Sequence, residues 1–420
     1  MDHQEMVDLR REFHVHPEPA WCEFWTTARI VSELERIGVD EVYVGRDAVA
    51  ADARRAVPDE ATLAAWRDRA RDAGADPAVL DATSGGVTGA VAVHRAGEGP
   101  SVALRVDVDG LVREEATGAS HVPATEGFRS ETPAMHACGH DAHVTVGLAV
   151  LEAVQSSDFA GTFTLCFQPA EERIGGGDAL AQSGHLDDVD DLFALHVGLG
   201  HPTGEVVAGV DEFLAVRQFR ATFTGEPAHA GARPEEGRSA AQAAATAVSN
   251  VHGAPRHSGG ATRVNVGVLT GGTAPNIVPE RVAIEGEVRG ETTALREHCW
   301  THVERTLRSA AAMHGCSVDV ERLGEAPSAV SDPSLAGHVA RAARALDGVE
   351  AVRDTGALGG SEDATVLMRH VQERGGRACY CIVGTDHPGG HHTATFDVDE
   401  RTLPQAVETL TEAVRSAARD

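Results

Sequence analysis

The chain has 420 residues, more than one hydrophobic core usually supports, so two domains are expected. Hydrophobic residues make up 42% and charged residues 24%, which permits a packed core and excludes wholesale disorder. A net charge of −28 opposes nucleic-acid binding, and no apolar run approaches the roughly twenty residues of a membrane span.

In chain order, residues 4–15 and 25–37 read as amphipathic helices around a turn at His16-Pro17-Glu18-Pro19. Residues 46–83, rich in Ala, Arg and Asp, predict helix. Residues 87–94 and 101–108 are β-like runs, and Ala96-Gly97-Glu98-Gly99-Pro100 between them is a hairpin signal. Residues 141–154 predict a helix. Residues 161–168 form a buried strand that delivers Glu171-Glu172 at its C-terminal end, where α/β sheets place their sites.

From about 214 the texture changes. A strand (219–224), a helix (238–251), two strands (263–269 and 281–288), a helix (292–313) and a strand (317–322) give the order β-α-β-β-α-β, a split βαβ sandwich. Pro327 and Pro333 mark its exit, and helix–strand alternation then resumes, with a core strand at 378–384. The fold class is α/β: a discontinuous metal-binding catalytic domain (1–213 and 328–420) with an inserted ferredoxin-like domain at 214–327.

The chemistry concentrates in Met135-His136-Ala137-Cys138-Gly139-His140-Asp141-Ala142-His143. Three histidines and a thiol in so short a span suggest a transition-metal site. In an extended segment Cys138 and His140, two apart, face one side and can meet one metal cluster. A cysteine ligates strongly only as thiolate, which a divalent cation stabilises. In Glu171-Glu172 one carboxylate can bind metal while the other shuttles protons. His196 ends another apolar run, and His391-His392 precedes Thr393-Ala394-Thr395-Phe396. With Cys138, His140 and a glutamate they suit two metals about 3.5–4 Å apart. His14 and His16 read as structural. Gly175-Gly176-Gly177 lacks the Lys-Ser/Thr of a P-loop and reads as a flexible loop. No Gly-x-Ser-x-Gly elbow is present, so a serine hydrolase is not supported.

All 36 basic residues are arginine. Acidic groups hold water and cations, whereas lysine brings a long apolar stem to the surface. This points to adaptation to high salt that screens self-repulsion, with a GC-rich genome as the rival explanation. Seven sparse cysteines and a polar N-terminal stretch unlike a signal peptide point to the cytoplasm.

These motifs, with Phe13-His14-Val15-His16-Pro17-Glu18, Leu104-Arg105-Val106-Asp107-Val108-Asp109-Gly110-Leu111, Ala228-His229-Ala230-Gly231 and Gly360-Ser361-Glu362-Asp363, resemble nearly end to end the di-metal amidohydrolases that include hippurate hydrolase, indole-acetyl-amino-acid hydrolases and aminoacylases. Pro255-Arg256-His257-Ser258-Gly259-Gly260, Gly384-Thr385-Asp386 and the insert at 46–88 resemble its aminobenzoyl-glutamate utilization branch. The resemblance implies hydrolysis of an N-acyl amino acid, p-aminobenzoyl-glutamate first and other acyl conjugates as the alternative. It implies two divalent ions, Mn²⁺ or Zn²⁺, on Cys138, His140, Glu172, His196 and His392, with Glu171 as base and acid. His392 is selected over His391 by its spacing to Phe396. His229, Asn276 and Arg289 are implied at the substrate's carboxylate or scissile carbonyl, with His229 reaching into a partner protomer. Asp107 and Asp141 are supporting groups beside the ligands. The inserted domain is implied to be a dimerisation lid, in a homodimer or in a heteromer with a paralogous chain. Pro275 stands where the branch carries an arginine, which removes one bidentate contact to a substrate carboxylate.

Overall fold

The computed structural model describes residues 1–387 and 389–420. They fall into two compact units. The first comprises Met1–Glu212, Ala329–Leu358 and Glu362–Asp420, and the second Phe213–Ser328 with Gly359–Ser361.

The first unit is built on strands β1 (Glu41–Val44), β2 (Ala90–Arg95), β3 (Ser101–Asp107), β4 (Thr162–Gln168), β5 (Asp191–Val197), β6 (Glu205–Val207) and a short β7 (Val210–Asp211). In the second unit lie β8 (Ala215–Thr224), β9 (Thr262–Gly271), β10 (Arg281–Gly290) and β11 (Ser317–Ala326). The chain then returns to the first unit with β12 (Ala351–Arg353), β13 (Gly356–Ala357) and β14 (Arg377–Val383). The large mixed sheet runs β1-β2-β4-β3-β5-β14-β6-β12. Its central strands β3, β4, β5 and β14 are buried along nearly their whole length, which explains their unbroken apolar runs. The helix His140–Gln155 is buried on almost every face; it packs on β3 and is covered by helices His3–Val15 and Thr402–Ala417.

The expected hairpin is not formed. β4 lies between β2 and β3, antiparallel to the first and parallel to the second. The Gly97–Pro100 corner steps over β4 rather than turning back. A Cβ on Gly99 would sit 2.5 Å from the Ala160 carbonyl oxygen and one on Gly161 2.3 Å from that of Pro100, so the glycines serve this crossing. Residues 46–83 are also less helical than expected. Two 3-10 turns precede helices Glu60–Asp72 and Pro77–Ala82, whose starts are cut by the side-chain caps Asp59 and Asp76.

In the second unit the order β-α-β-β-α-β is realised as an antiparallel sheet β11-β8-β10-β9. Helices Ala240–Val251 and Thr293–Met313 close one face. Small Ala240, Ala243, Ala244 and Ala247 let the first helix approach Phe219 and Phe223 closely. Among the described residues, no helix is long and apolar enough to cross a membrane.

Candidate metal centre and its carboxylate frame

The ends of β3, β4 and β5 meet the start of the helix His140–Gln155. Gly139 caps that helix in the left-handed region (φ 85°), and a Cβ there would lie 2.6 Å from Val197 Cγ2. The chain therefore turns sharply between Cys138 and His140. Their convergence comes from this turn and not from the extended segment expected.

Donor atoms of Cys138, His140 and His196 lie within 4.8 Å of one another, as do those of Cys138, Glu172 and His392, and of His140, Glu171 and Glu172. The Cys138 Sγ to His196 Nε2 distance is 3.5 Å, and His392 Nε2 is 3.4 Å from Glu172 Oε2. The carbonyl of Val197, 2.8 Å from His196 Nδ1, accepts that nitrogen's proton and leaves Nε2 free to ligate. His392 adopts φ 62°, a conformation rare for a side chain of this size, with its N–H on the Ala137 carbonyl. His391 Nε2 instead faces the Val197 carbonyl at 3.3 Å.

His143 and Asp141 of the motif are engaged elsewhere, and His136 is buried with neither ring nitrogen hydrogen-bonded. His143 Nδ1 is 2.5 Å from Asp107 Oδ1, and its Nε2 accepts from the Val197 N–H. Asp107 also accepts from Arg105 Nη1 at 2.7 Å. Asp141 meets Arg10 Nε and His14 Nδ1, both at 2.7 Å, which ties the first turn of its helix to the helix His3–Val15.

The residues present fit divalent cations. The His140 ring nitrogens face Asp109 at 3.5 Å and Asp107 at 3.6 Å without a well-formed hydrogen bond, and Glu172 Oε1 is buried without a hydrogen-bond partner, whereas buried polar atoms are normally bonded. Burial, then Glu172 and Glu171, hold the Cys138 thiol well above its ordinary range. Burial pushes Glu172 up to about 8. Burial, with Glu362 and Glu172, raises Glu171 well above a usual carboxyl. Bound cations would relieve this crowding and favour the Cys138 thiolate as a ligand.

Backbone amides of the loop carrying Glu171 and Glu172 are held by buried carboxylates. Asp109 accepts from Glu171 N (3.0 Å) and Glu172 N (3.1 Å). Asp363 accepts from Gly176 N (3.2 Å) and Gly177 N (2.8 Å). The glycine run is thus gripped rather than loose, contrary to expectation: a Cβ on Gly176 would fall 1.7 Å from the Pro169 oxygen and one on Gly177 2.5 Å from that of Asp363. Arg105, wholly buried, gathers Asp107, Glu362 and Asp363, and the Tyr380 hydroxyl donates to Glu362 at 2.9 Å. Sequence reasoning gave Arg105, Glu362 and Asp363 no role. A fully charged residue inside the apolar β3 run was the available signal.

His229, Asn276 and Arg289 belong to the second unit. Exposed His229 accepts Gly231 and Ala232 N–H groups at Nδ1, which fixes its proton on Nε2. The Ala230 N–H donates to the Asn276 carbonyl, so the His229 and Asn276 segments are adjacent. Arg289 is held in a two-pronged contact by Glu287, at 2.8 and 3.0 Å.

Residues 103–416 match the model of peptidase family M20/M25/M40. The chain belongs to this family. Its M20/M25/M40 membership makes it a hydrolase of carbon–nitrogen bonds. It is 43% identical to the indole-3-acetyl-aspartic acid hydrolase of Enterobacter agglomerans, covering 97% of this chain and 94% of that one. It is 40% identical to one of the subunits of the p-aminobenzoyl-glutamate hydrolase of Escherichia coli (strain K12), covering 96% and 93%. Among solved structures, the aminobenzoyl-glutamate utilization protein from Klebsiella pneumoniae superposes with a TM-score of 0.84 at 35% identity, over 98% of this chain and 95% of that one.

Proposed function

We propose that this protein is a di-metal amidohydrolase that splits an aromatic acyl group from an acidic amino acid, p-aminobenzoyl-glutamate first among its substrates. The observation that carries the reading is the convergence of Cys138, His140, Glu172, His196 and His392 beside the Glu171 carboxyl, to which proton transfer is assigned. Both relatives named above act on an aromatic acyl group joined to aspartate or glutamate. The Cys/His/carboxylate set suits Zn²⁺ and admits Mn²⁺.

Bound cations would polarise the amide carbonyl and acidify a water. Glu171 takes the proton of the attacking water and returns it to the leaving nitrogen. His229 offers its Nε2–H to the carbonyl oxygen, while Asn276 and Arg289 take the carboxylate and orient the substrate. Because Arg289 already grips Glu287, a substrate carboxylate would compete for it. With Pro275 in place of an arginine, a broader range of N-acyl amino acids is the second reading. The second unit is assigned to a homodimer contact, or to pairing with a paralogous chain, in keeping with the Escherichia coli relative being one component of a larger hydrolase. A salt-rich cytoplasm is the proposed setting.

The test is hydrolysis of p-aminobenzoyl-glutamate in multi-molar KCl after loading with Mn²⁺ or Zn²⁺, with p-aminobenzoate release followed. Turnover abolished by chelator is expected. If only acyl-glycines and acyl-alanines are split, the broader reading replaces the narrow one. If no acyl amino acid is split until a second chain is added, the heteromer reading holds.

A further inference from the structure

We propose that Glu23 is a positioning residue that sets the Glu171-Glu172 pair by holding the left-handed turn at Ala170, an inference that rests on the reading of Glu171 as the proton-transfer group. Glu23 sits in Trp21-Cys22-Glu23-Phe24-Trp25, just before the helix Phe24–Ile37, and is 0% exposed. Its Oε1 accepts from the Ala170 N–H at 2.8 Å and its Oε2 from the Thr88 hydroxyl at 2.5 Å.

Ala170 has φ 58° and ψ 37°. A residue with a Cβ resists that region, where the Cβ crowds the following carbonyl oxygen, so the turn has to be held by its surroundings. The next two N–H groups, of Glu171 and Glu172, enter Asp109. Three successive amides thus point into two buried carboxylates, and the turn they define aims both glutamates. Placing Glu23 near Asp109 in a dry interior is costly, since like charges repel there. Packing alone would be served by an apolar side chain. An acceptor long enough to reach Ala170 is what the position requires.

Reach and charge are separable. Glu23→Gln keeps the length: its carbonyl oxygen accepts from Ala170 N–H and its amide donates to Thr88. Glu23→Asp keeps the charge but is one methylene short. Hydrogen–deuterium exchange of the 170–172 amides is read beside kcat and KM for p-aminobenzoyl-glutamate. In Glu23→Asp, exchange at these amides is expected to rise about tenfold, with the helix His140–Gln155 unaffected. Its kcat should fall about tenfold, with KM within about twofold. Glu23→Gln should stay within about threefold of wild type on both readouts. Ala170→Gly, added to Glu23→Asp, should recover kcat at least about threefold, because glycine takes the turn unaided.

Unchanged exchange in Glu23→Asp overturns the proposal. So does equal damage from Asp and Gln with no recovery by glycine, the pattern of a merely structural group. Should Glu23→Asp not fold, Thr88→Val, which frees the other oxygen, carries the same exchange expectation and the same overturning result. If exchange responds as expected but the wild-type enzyme splits no acyl amino acid, the positioning role stands and the functional reading falls.

Discussion

Two regions of the molecule, the exposed sheet of the second unit and the interior of the first, place arginine–carboxylate pairs in contrasting surroundings. Although the second unit also buries Arg296 beside Glu325, its Arg220 with Glu285 at 2.7 Å and its Arg289 with Glu287 lie near the surface. Water screens such pairs, and each contributes little. In the first unit Arg105 is enclosed with Asp107, Glu362 and Asp363, and Arg10 with Asp141 and Asp397. There each charge depends on its partner, because nothing else solvates it. The difference shows how a cation site is made specific. The buried arginines pair their carboxylates, whereas the His140 ring nitrogens and Glu172 Oε1, which lie among the candidate ligand groups, make no hydrogen bond and are where a cation would add most.

The largest test of this contrast removes chemistry and leaves the frame. Glu171→Gln should lower kcat by about 10³-fold with metal content unchanged by elemental analysis, whereas loss of metal would make Glu171 part of the ligand set. The next removes the frame. Arg105→Met should destabilise the fold by about 3–5 kcal/mol in urea titration, because three carboxylates lose their shared counter-charge. Arg220→Gln, the same type of pair in the second unit, should change stability by less than about 1 kcal/mol. Equal costs would erase the distinction between enclosed and exposed pairs. Arg289→Ala should raise KM for an acyl-glutamate about tenfold and leave that for an acyl-alanine closer to wild type, measured side by side.

The smallest effect concerns pH. Burial and Arg10 act to lower the His14 pKa, but Asp141 and Glu115 outweigh them and raise it to about 9. Its folded form therefore holds a proton more tightly than the unfolded chain, whose ordinary value is about 6.5. The stabilisation is complete below that value and is lost as pH rises through about 9. Urea midpoints at fixed high salt should decline across this window in the wild type and decline less in His14→Gln.

Much of this was legible in the chain. The helices at 3–15, 24–37 and 140–155 and the β-α-β-β-α-β order were visible in the pattern of apolar residues. The hairpin misreading has a definite cause: local turn chemistry at 96–100 marks a corner, but a strand that comes sixty residues later decides what lies beside it. The short strands β1, β6, β7, β12 and β13 carry too few residues for any period to register. The donors of the candidate metal centre were visible because their chemistry is rare. The residues that hold them were not, because a buried glutamate such as Glu23 looks in sequence like any surface acid in a strongly acidic chain. Its apolar and aromatic neighbours were the remaining clue.

The placement of β14 has a consequence for biosynthesis. This strand fills the slot between β5 and β6, yet in the chain it follows the whole second unit. As the polypeptide leaves the ribosome, residues 213–328 are contiguous and can close their own core at once. The first unit must wait with the edge of β5 open, a surface prone to wrong pairing. Cys138, His140, Glu172 and His196 are made early, but His392 follows β14. Cation capture by the full proposed set would thus be among the last events in making this molecule, and the second unit would act until then as a folded spacer in the growing chain.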